Sequence, residues 1–210
     1  MMKKLVFICL LFLRLTGFSQ ADSVPYSREY EFKEGIFLNV EQFRRNDPIP
    51  KSAIISAYPK TQVDFMKQVT GERYITYKAA DGSEQKVETL SLWGYCQNRS
   101  LFINFNDELN RVNQIGTLCH FTSIVTMPVS YQDPMNTYGI STSDEMRQFI
   151  FDTQTNKVFD FNVKNMELLL KNDPALYTEF MKLKKRKKAD AIFVFLRRYN
   201  ENHPLYLPAK

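Results

Sequence analysis

Apolar and polar residues alternate along much of the chain up to about residue 161 and recur every three to four residues beyond it, so the period predicts a sheet followed by helices. Tyr74, Ile75 and Tyr77, then Val87 and Leu90, flank Ala80-Asp81-Gly82-Ser83, where Asp-Gly suits the positive backbone angles of a two-residue hairpin turn. Leu92 to Cys96 and Leu101 to Phe105 form the next predicted pair around Gln97-Asn98-Arg99. In that pair Leu101, Ile103 and Phe105 share one face and Asn104 takes the other. Leu118 to Thr126, rich in β-branched and aromatic residues, reads as a further strand. Pro128 to Asn136 reads as a long loop, and Met146 to Phe151 pairs with Lys157 to Phe161 around residues 152–156. These strands predict an antiparallel sheet curled into a partial barrel.

After Gly139 the period lengthens, and beyond the last hairpin, which ends at Phe161, helices are expected. Asn162 caps a helix running to about Lys171, and Asp173-Pro174 starts a second, with Pro174 at the first helical position and Leu176, Phe180 and Leu183 along one face. Ile192, Phe195, Leu196 and Tyr199 form the buried stripe of a third, expected from about Ala189 to Asn200 and stopped by Pro204. The fold class is thus α+β, a curled antiparallel sheet followed by a C-terminal group of helices.

The N-terminus departs from this pattern. Lys3 and Lys4 precede an apolar run from Leu5 to Leu13, which Arg14 closes, and small residues follow around Gly17 and Ser19. That order is the order of an export signal, and a run of about nine residues falls far short of the roughly 20 that cross a bilayer as a helix. Residues 1–20 are expected to be a removable signal, cut within a few residues of Gln20. Residues 21–210 then form a single exported domain, β-rich over 21–161 and helical over 162–202, located in the periplasm or secreted. Cys9 lies inside the apolar run, a position that does not suit lipid attachment, and no later stretch reads as a transmembrane anchor.

Composition changes this picture in two places. The chain has 28 basic and 23 acidic side chains, but losing Lys3, Lys4 and Arg14 leaves 25 basic ones, and a net charge near +2 makes no case for nucleic acid as a partner. All six glycines after the signal lie at or before Gly139, and there the charge balance reverses, from 12 basic and 14 acidic residues over 21–139 to 13 and 9 beyond, so a soft boundary is expected near Gly139.

The opening Tyr30-Glu31-Phe32-Lys33-Glu34-Gly35-Ile36-Phe37-Leu38, with Glu41, Phe43 and Asn46 before Pro48, resembles the start of uncharacterised exported proteins of Bacteroidota. Gly94-Tyr95-Cys96, the closing Tyr199-Asn200-Glu201-Asn202-His203-Pro204-Leu205 and a signal ending in Phe18-Ser19-Gln20 are similar to segments of the same proteins. The likeness covers most of the chain after the signal. It implies no activity and brings no functional residues.

Candidate chemistry is sparse. The chain lacks a nucleophile elbow, a His-Glu-x-x-His metal site and a phosphate-cradling glycine loop. Two histidines, His120 and His203, exclude a multi-histidine metal site and leave the usual general base scarce. Cys119 and His120 would face opposite ways on a strand, so they do not form a nucleophile–base pair, and His203 in the tail reads as an exposed or capping side chain. No catalytic, cofactor-binding or metal-binding residue is assigned, and no cofactor is expected.

Cys96 and Cys119 are the only cysteines after the signal. Export would let a disulfide persist between them, and the alternative is two buried free thiols. The run Lys182-Leu183-Lys184-Lys185-Arg186-Lys187-Lys188 either contacts an anionic surface or is a solvated helix end, where cations complement the negative end of the helix dipole; the second reading is favoured. Seventeen Phe and eleven Tyr mostly form the core, Trp93 among them, and only a cluster left on one sheet face would mark a ligand site.

Two function classes follow. The first is a noncatalytic envelope or secreted protein that binds a partner, such as an envelope protein, an apolar ligand or an anionic surface. The second is a periplasmic hydrolase working with carboxylates, for example among Asp133, Asp144 and Asp152. The scarcity of histidine favours the first. Two facing carboxylates in a cleft would favour the second.

Overall fold

The computed structural model describes residues 23–132 and 138–209, so the expected signal over residues 1–20 lies outside the described residues. The chain opens with β1 (Ser23–Pro25), β2 (Gly35–Phe37), the short helix α1 (Val40–Arg44), β3 (Ile49–Pro50), β4 (Ile54–Ile55) and the short helix α2 (Phe65–Val69). A run of strands follows: β5 (Tyr74–Lys78), β6 (Glu84–Glu88), β7 (Gly94–Gln97), β8 (Ser100–Phe105), β9 (Glu108–Gln114), β10 (Leu118–Gln132), β11 (Tyr138–Asp152) and β12 (Lys157–Asp160). The helices α3 (Val163–Leu169), α4 (Pro174–Met181) and α5 (Lys185–Asn202) come next, and β13 (Tyr206–Pro208) ends the described chain.

Eight strands form one curled antiparallel sheet in the order β12-β11-β10-β9-β8-β7-β2-β3. A small sheet, β4-β5-β6, stands apart, and β1 pairs with β13. The fold is therefore α+β, with a half-barrel sheet and helices at the C-terminal side, as the change of period implies.

Strand alternation divides the apolar residues of the large sheet between its two faces. Phe37, Cys96, Leu101, Ile103, Cys119, Phe121, Phe149 and Phe151 point inward, into an aromatic core closed by Phe32, Phe43, Leu205 and Leu207. Trp93 packs there too, its ring stacked 4.5 Å from Phe43 and edge-on to Phe151. The outer face is covered in two places. Leu118 and Ile150 meet Met166, Leu176, Phe180, Ile192 and Leu196 of the helices, while Ile36 and Tyr95 meet Phe65 and Met66 of α2 and Ile54 and Ile75 of the small sheet.

The turns differ from expectation in an instructive way. β5 and β6 pair as predicted, but of Asp81 and Gly82 only Gly82 has a positive φ, of 84°. Ala79 N–H donates to Ser83 O at 2.8 Å and Gly82 N–H to Ala79 O at 2.9 Å, closing a three-residue connection with glycine at the left-handed position. Asp81 instead accepts the Ser83 N–H, at 2.9 Å. Two-residue turns with both φ positive occur at Asn98-Arg99 (49° and 60°) and Asn106-Asp107 (53° and 61°). The second leads into β9, which the pattern does not announce because its apolar residues, Leu109 and Val112, point to opposite faces.

The expected loop from Pro128 to Asn136 is corrected as far as Gln132, residues 133–136 lying outside the described residues, and the boundary near Gly139 is corrected as well. β10 and β11 pair continuously from Leu118↔Asp152 to Gln132↔Tyr138, so Pro128 lies in a strand and Gly139 sits opposite Tyr131. β9 is in register with His120 and Phe121 of β10, and β12 with Phe149 to Asp152 of β11, with Phe161 N–H also donating to Gln148 O at 2.9 Å; beyond these, among the described residues, the two strands form a ribbon paired with each other. Proline is tolerated there because no third strand needs its missing N–H. The Ser- and Thr-rich composition that resembles a loop belongs to a ribbon without a core beneath it, where Ile124, Val129 and Met146 are exposed. Amides over 122–132 and 138–148 are expected to exchange with solvent at least about tenfold faster than those of β7 and β8, because two-stranded ladders open locally at low cost; hydrogen-exchange mass spectrometry checks this.

Candidate functional site

An open-sided groove of about 530 Å³ lies between α2 and the outer face of β7, β8 and β9. Alternation supplies its floor. Tyr95 and Gln97 of β7, and Ser100, Phe102 and Asn104 of β8, all point to this side, and cross-strand pairing sets Tyr95 opposite Phe102 and Gln97 opposite Ser100. The Tyr95 and Phe102 rings stack with centroids 4.5 Å apart and planes 8° from parallel. Burial raises the Tyr95 hydroxyl to about 12, so it stays protonated and can donate. β7 and β8 approach closely at Gly94, where a Cβ would stand 2.0 Å from Phe102 O.

Gln97 is the unusual residue. It is 5% exposed, and its Oε1 accepts the Met66 N–H at 3.1 Å, capping a free donor in the first turn of α2. Its Nε2 has no hydrogen-bond partner. A buried donor left unpaired costs about 1–3 kcal/mol, a cost that a ligand acceptor in the groove would remove if the Gln97 side chain turned to expose it. Lys67, Asp64 and Asp107 stand on the walls, and both carboxylates are exposed, so neither is desolvated as a general acid requires.

The sequence gives little notice of this site. Gln97 reads as a turn residue there, yet it stands two positions from Tyr95, and that spacing on a strand puts both on one face.

The carboxylates named from sequence do not converge. Asp133 lies outside the described residues. Asp144 is exposed on the ribbon, where it accepts the Thr126 hydroxyl at 2.8 Å. Asp152 is buried at the far end of the same strand and accepts Gln154 N–H at 2.9 Å and the Thr155 hydroxyl at 2.7 Å. Eight residues of extended strand hold the two about 26 Å apart.

Cys119 and His120 face opposite ways, as strand geometry requires. His120 packs on Phe161 and Phe193 and bonds Gln148 at 3.0 Å, and burial lowers its pKa. Cys96 and Cys119 are free and buried in the inner core, and burial pushes both thiols up to about 12. His203 ends α5, its Nε2 3.1 Å from Asp173 Oδ2. Asp173 caps α4 through Leu176 N–H at 3.0 Å and also accepts from Asn202 at 2.8 Å; these hydrogen bonds hold its carboxyl below the usual range. The pair pins the start of α4 to the end of α5. Among the described residues no group of three His, Cys, Asp or Glu side chains could hold a metal ion, and no helix is long and apolar enough to cross a membrane.

The basic run is placed differently from expectation. α4 ends at Met181 and Lys184 precedes α5, so Lys185, Arg186, Lys187 and Lys188 form the first turn of a helix instead of its last. Their charges oppose the helix dipole. Lys188 does not belong to the exposed set: it is 8% exposed and paired with Glu167 at 2.6 Å. Lys182, Lys184, Lys185, Arg186 and Lys187 are exposed.

Two outcomes are expected. At pH 8 a thiol raised to about 12 is ionised in only about one molecule in ten thousand, so iodoacetamide should leave Cys96 and Cys119 unmodified in the folded protein; both should be labelled in denaturant without reductant, read by peptide mass spectrometry. Asp173→Ala should lower stability by about 1 to 2 kcal/mol at pH 7 through the lost cap. Because the folded-state pKa of Asp173 is depressed, its contribution is present above its unfolded value and is lost as pH falls through the folded one. The difference between parent and variant in urea melts should therefore shrink below about pH 4.

No curated protein and no solved structure matches the chain. A family model matches residues 35–203, from β2 through the end of α5, and so spans the large sheet, the small sheet and all three C-terminal helices. The chain belongs to the family of unknown function DUF6563.

Proposed function

We propose that the protein is an exported, noncatalytic binding protein of the envelope or the secreted fraction, like the Bacteroidota proteins its sequence resembles, and that it takes a small ligand in the groove between α2 and β8. The stacked Tyr95 and Phe102 rings on the floor of the groove carry this reading, and the unpaired Gln97 donor beside them becomes available to a ligand on a small turn of its side chain. Export is supported by the order of basic, apolar and small residues over 1–20, which suits removal during passage to the periplasm or medium. The stacked Tyr95 and Phe102 rings offer an apolar surface beside hydrogen-bonding groups, a combination that suits a ligand with a flat apolar face and a carbonyl or hydroxyl acceptor. The hydrolase reading has less support: Asp144 and Asp152 stand far apart and the two carboxylates of the groove are exposed.

An NMR fragment screen with neutral amides and saccharides tests the proposal. Binding fragments are expected to move the side-chain amide resonance of Gln97 and the ring resonances of Phe102. Gln97→Glu keeps the acceptor for Met66 and removes the donor, and it should weaken those fragments by about tenfold. Fragments that bind only elsewhere, or bind Gln97→Glu equally well, would sink the reading.

A further inference from the structure

We propose that the corner between α4 and α5 docks the protein on an anionic phospholipid surface through Lys182, Lys184, Lys185, Arg186 and Lys187. This does not rest on the groove. All five side chains are exposed, and among the described residues none makes a close ion pair, although Lys182 lies near enough to Glu179 to feel its charge; the neighbouring acids are engaged, Glu167 with Lys188 at 2.6 Å and Glu179 with Arg198 at 2.6 Å. Asp190 is the one acid in the turn that follows.

In the free protein these charges sit unfavourably. They lie within a Debye length of one another and repel, and the first turn of α5 contains no acidic residue and no side-chain cap. The reading in which the cations complement the end of a helix therefore holds for Lys182, the C-cap of α4, and does not hold for Lys185, Arg186 and Lys187. An anionic surface attracts all of these charges, and the positive end of the α5 dipole with them, and so offsets the repulsion. The corner has an apolar edge as well: Met181 is 43% exposed, and its sulfur lies 3.2 Å from Lys188 Nζ. Basic groups bordered by an exposed apolar side chain suit the boundary between headgroups and acyl chains. A nucleic-acid surface would interleave stacking aromatics, and Phe180, the aromatic ring in contact with this corner through Lys188, is buried.

Co-sedimentation with vesicles tests the proposal, with the same N-terminus in parent and variant. The parent should sediment with mixed phosphatidylglycerol–phosphatidylcholine vesicles at low salt, should not sediment with pure phosphatidylcholine, and should be released by 0.5 M salt on the order-of-magnitude scale expected for screened charges. The variant Lys184→Glu/Arg186→Glu/Lys187→Glu should lose binding on the order of 100-fold. Because the reversals place acids at the positive end of α5, its melting temperature should not fall, which separates lost docking from misfolding. Equal sedimentation with pure phosphatidylcholine, no sedimentation with anionic vesicles, or undiminished binding by the folded variant would overturn the proposal. Tighter binding of a DNA oligonucleotide than of anionic vesicles at equal salt would also overturn it.

Discussion

The structure depends on one constraint: the large sheet is apolar on both faces, so both must be covered. Successive residues of β10 show this directly. Leu118 turns outward to the helices, Cys119 inward, His120 outward beneath Phe193, and Phe121 inward again. A slip of one residue in register would exchange these environments, placing a histidine in the aromatic core and a phenylalanine under the helices. The inner face is closed by curling the sheet and by α1 and the β1–β13 pair. The outer face is shared between two unconnected layers, the C-terminal helices at one end and α2 with the small sheet at the other.

The amide of Asn200 does most to hold the helical layer in register with the sheet. β9 first meets β10 at His120, which leaves the polar groups of Leu118 facing away from β11 without a strand partner. Asn200 of α5 takes that place: its Oδ1 accepts the Leu118 N–H at 2.8 Å and its Nδ2 donates to Leu118 O at 2.9 Å. Gly116 permits the approach, since a Cβ there would lie 2.4 Å from the Asn200 side chain. The Thr117 hydroxyl donates to His203 O at 2.6 Å nearby. Backbone groups at a sheet end are costly when buried unpaired, so these contacts fix where α5 ends against the sheet. Asp173 then ties α4 to the same end of α5 through Asn202 and His203.

Both proposed binding surfaces arise where the covering layers are incomplete or electrically unbalanced. The groove is the part of the outer face that α2 leaves open, and its unpaired amide belongs to the residue that caps α2. The basic corner is the place where the helical layer turns, and four consecutive cations enter a helix there against its dipole. Local rules are only partly compensated at both places: Glu167 pairs with Lys188 and Met66 with one end of the Gln97 amide, while Lys185 to Lys187 and the other end of the amide are left over.

The sequence by itself determined the class of structure, because period is a local property: alternation in Leu101 to Phe105 and the stripe of Ile192, Phe195, Leu196 and Tyr199 each dictate an element and its buried side. It also determined helix starts at Asn162 and Asp173, whose side chains accept the N–H groups three residues on. Partnership was decided by tertiary structure. Pro128 to Gln132 is strand because β11 lies beside it, and β9 is strand because β8 and β10 flank it, although neither has a clean alternation. Lys188 is buried because Glu167, distant in sequence, meets it, while Lys185 to Lys187 begin a helix instead of ending one. Gln97 became a candidate site residue when α2 took one end of its amide and left the other unpaired. A hydrogen bond between residues distant in the chain leaves no periodic trace, so its presence or absence is decided only when the chain has folded.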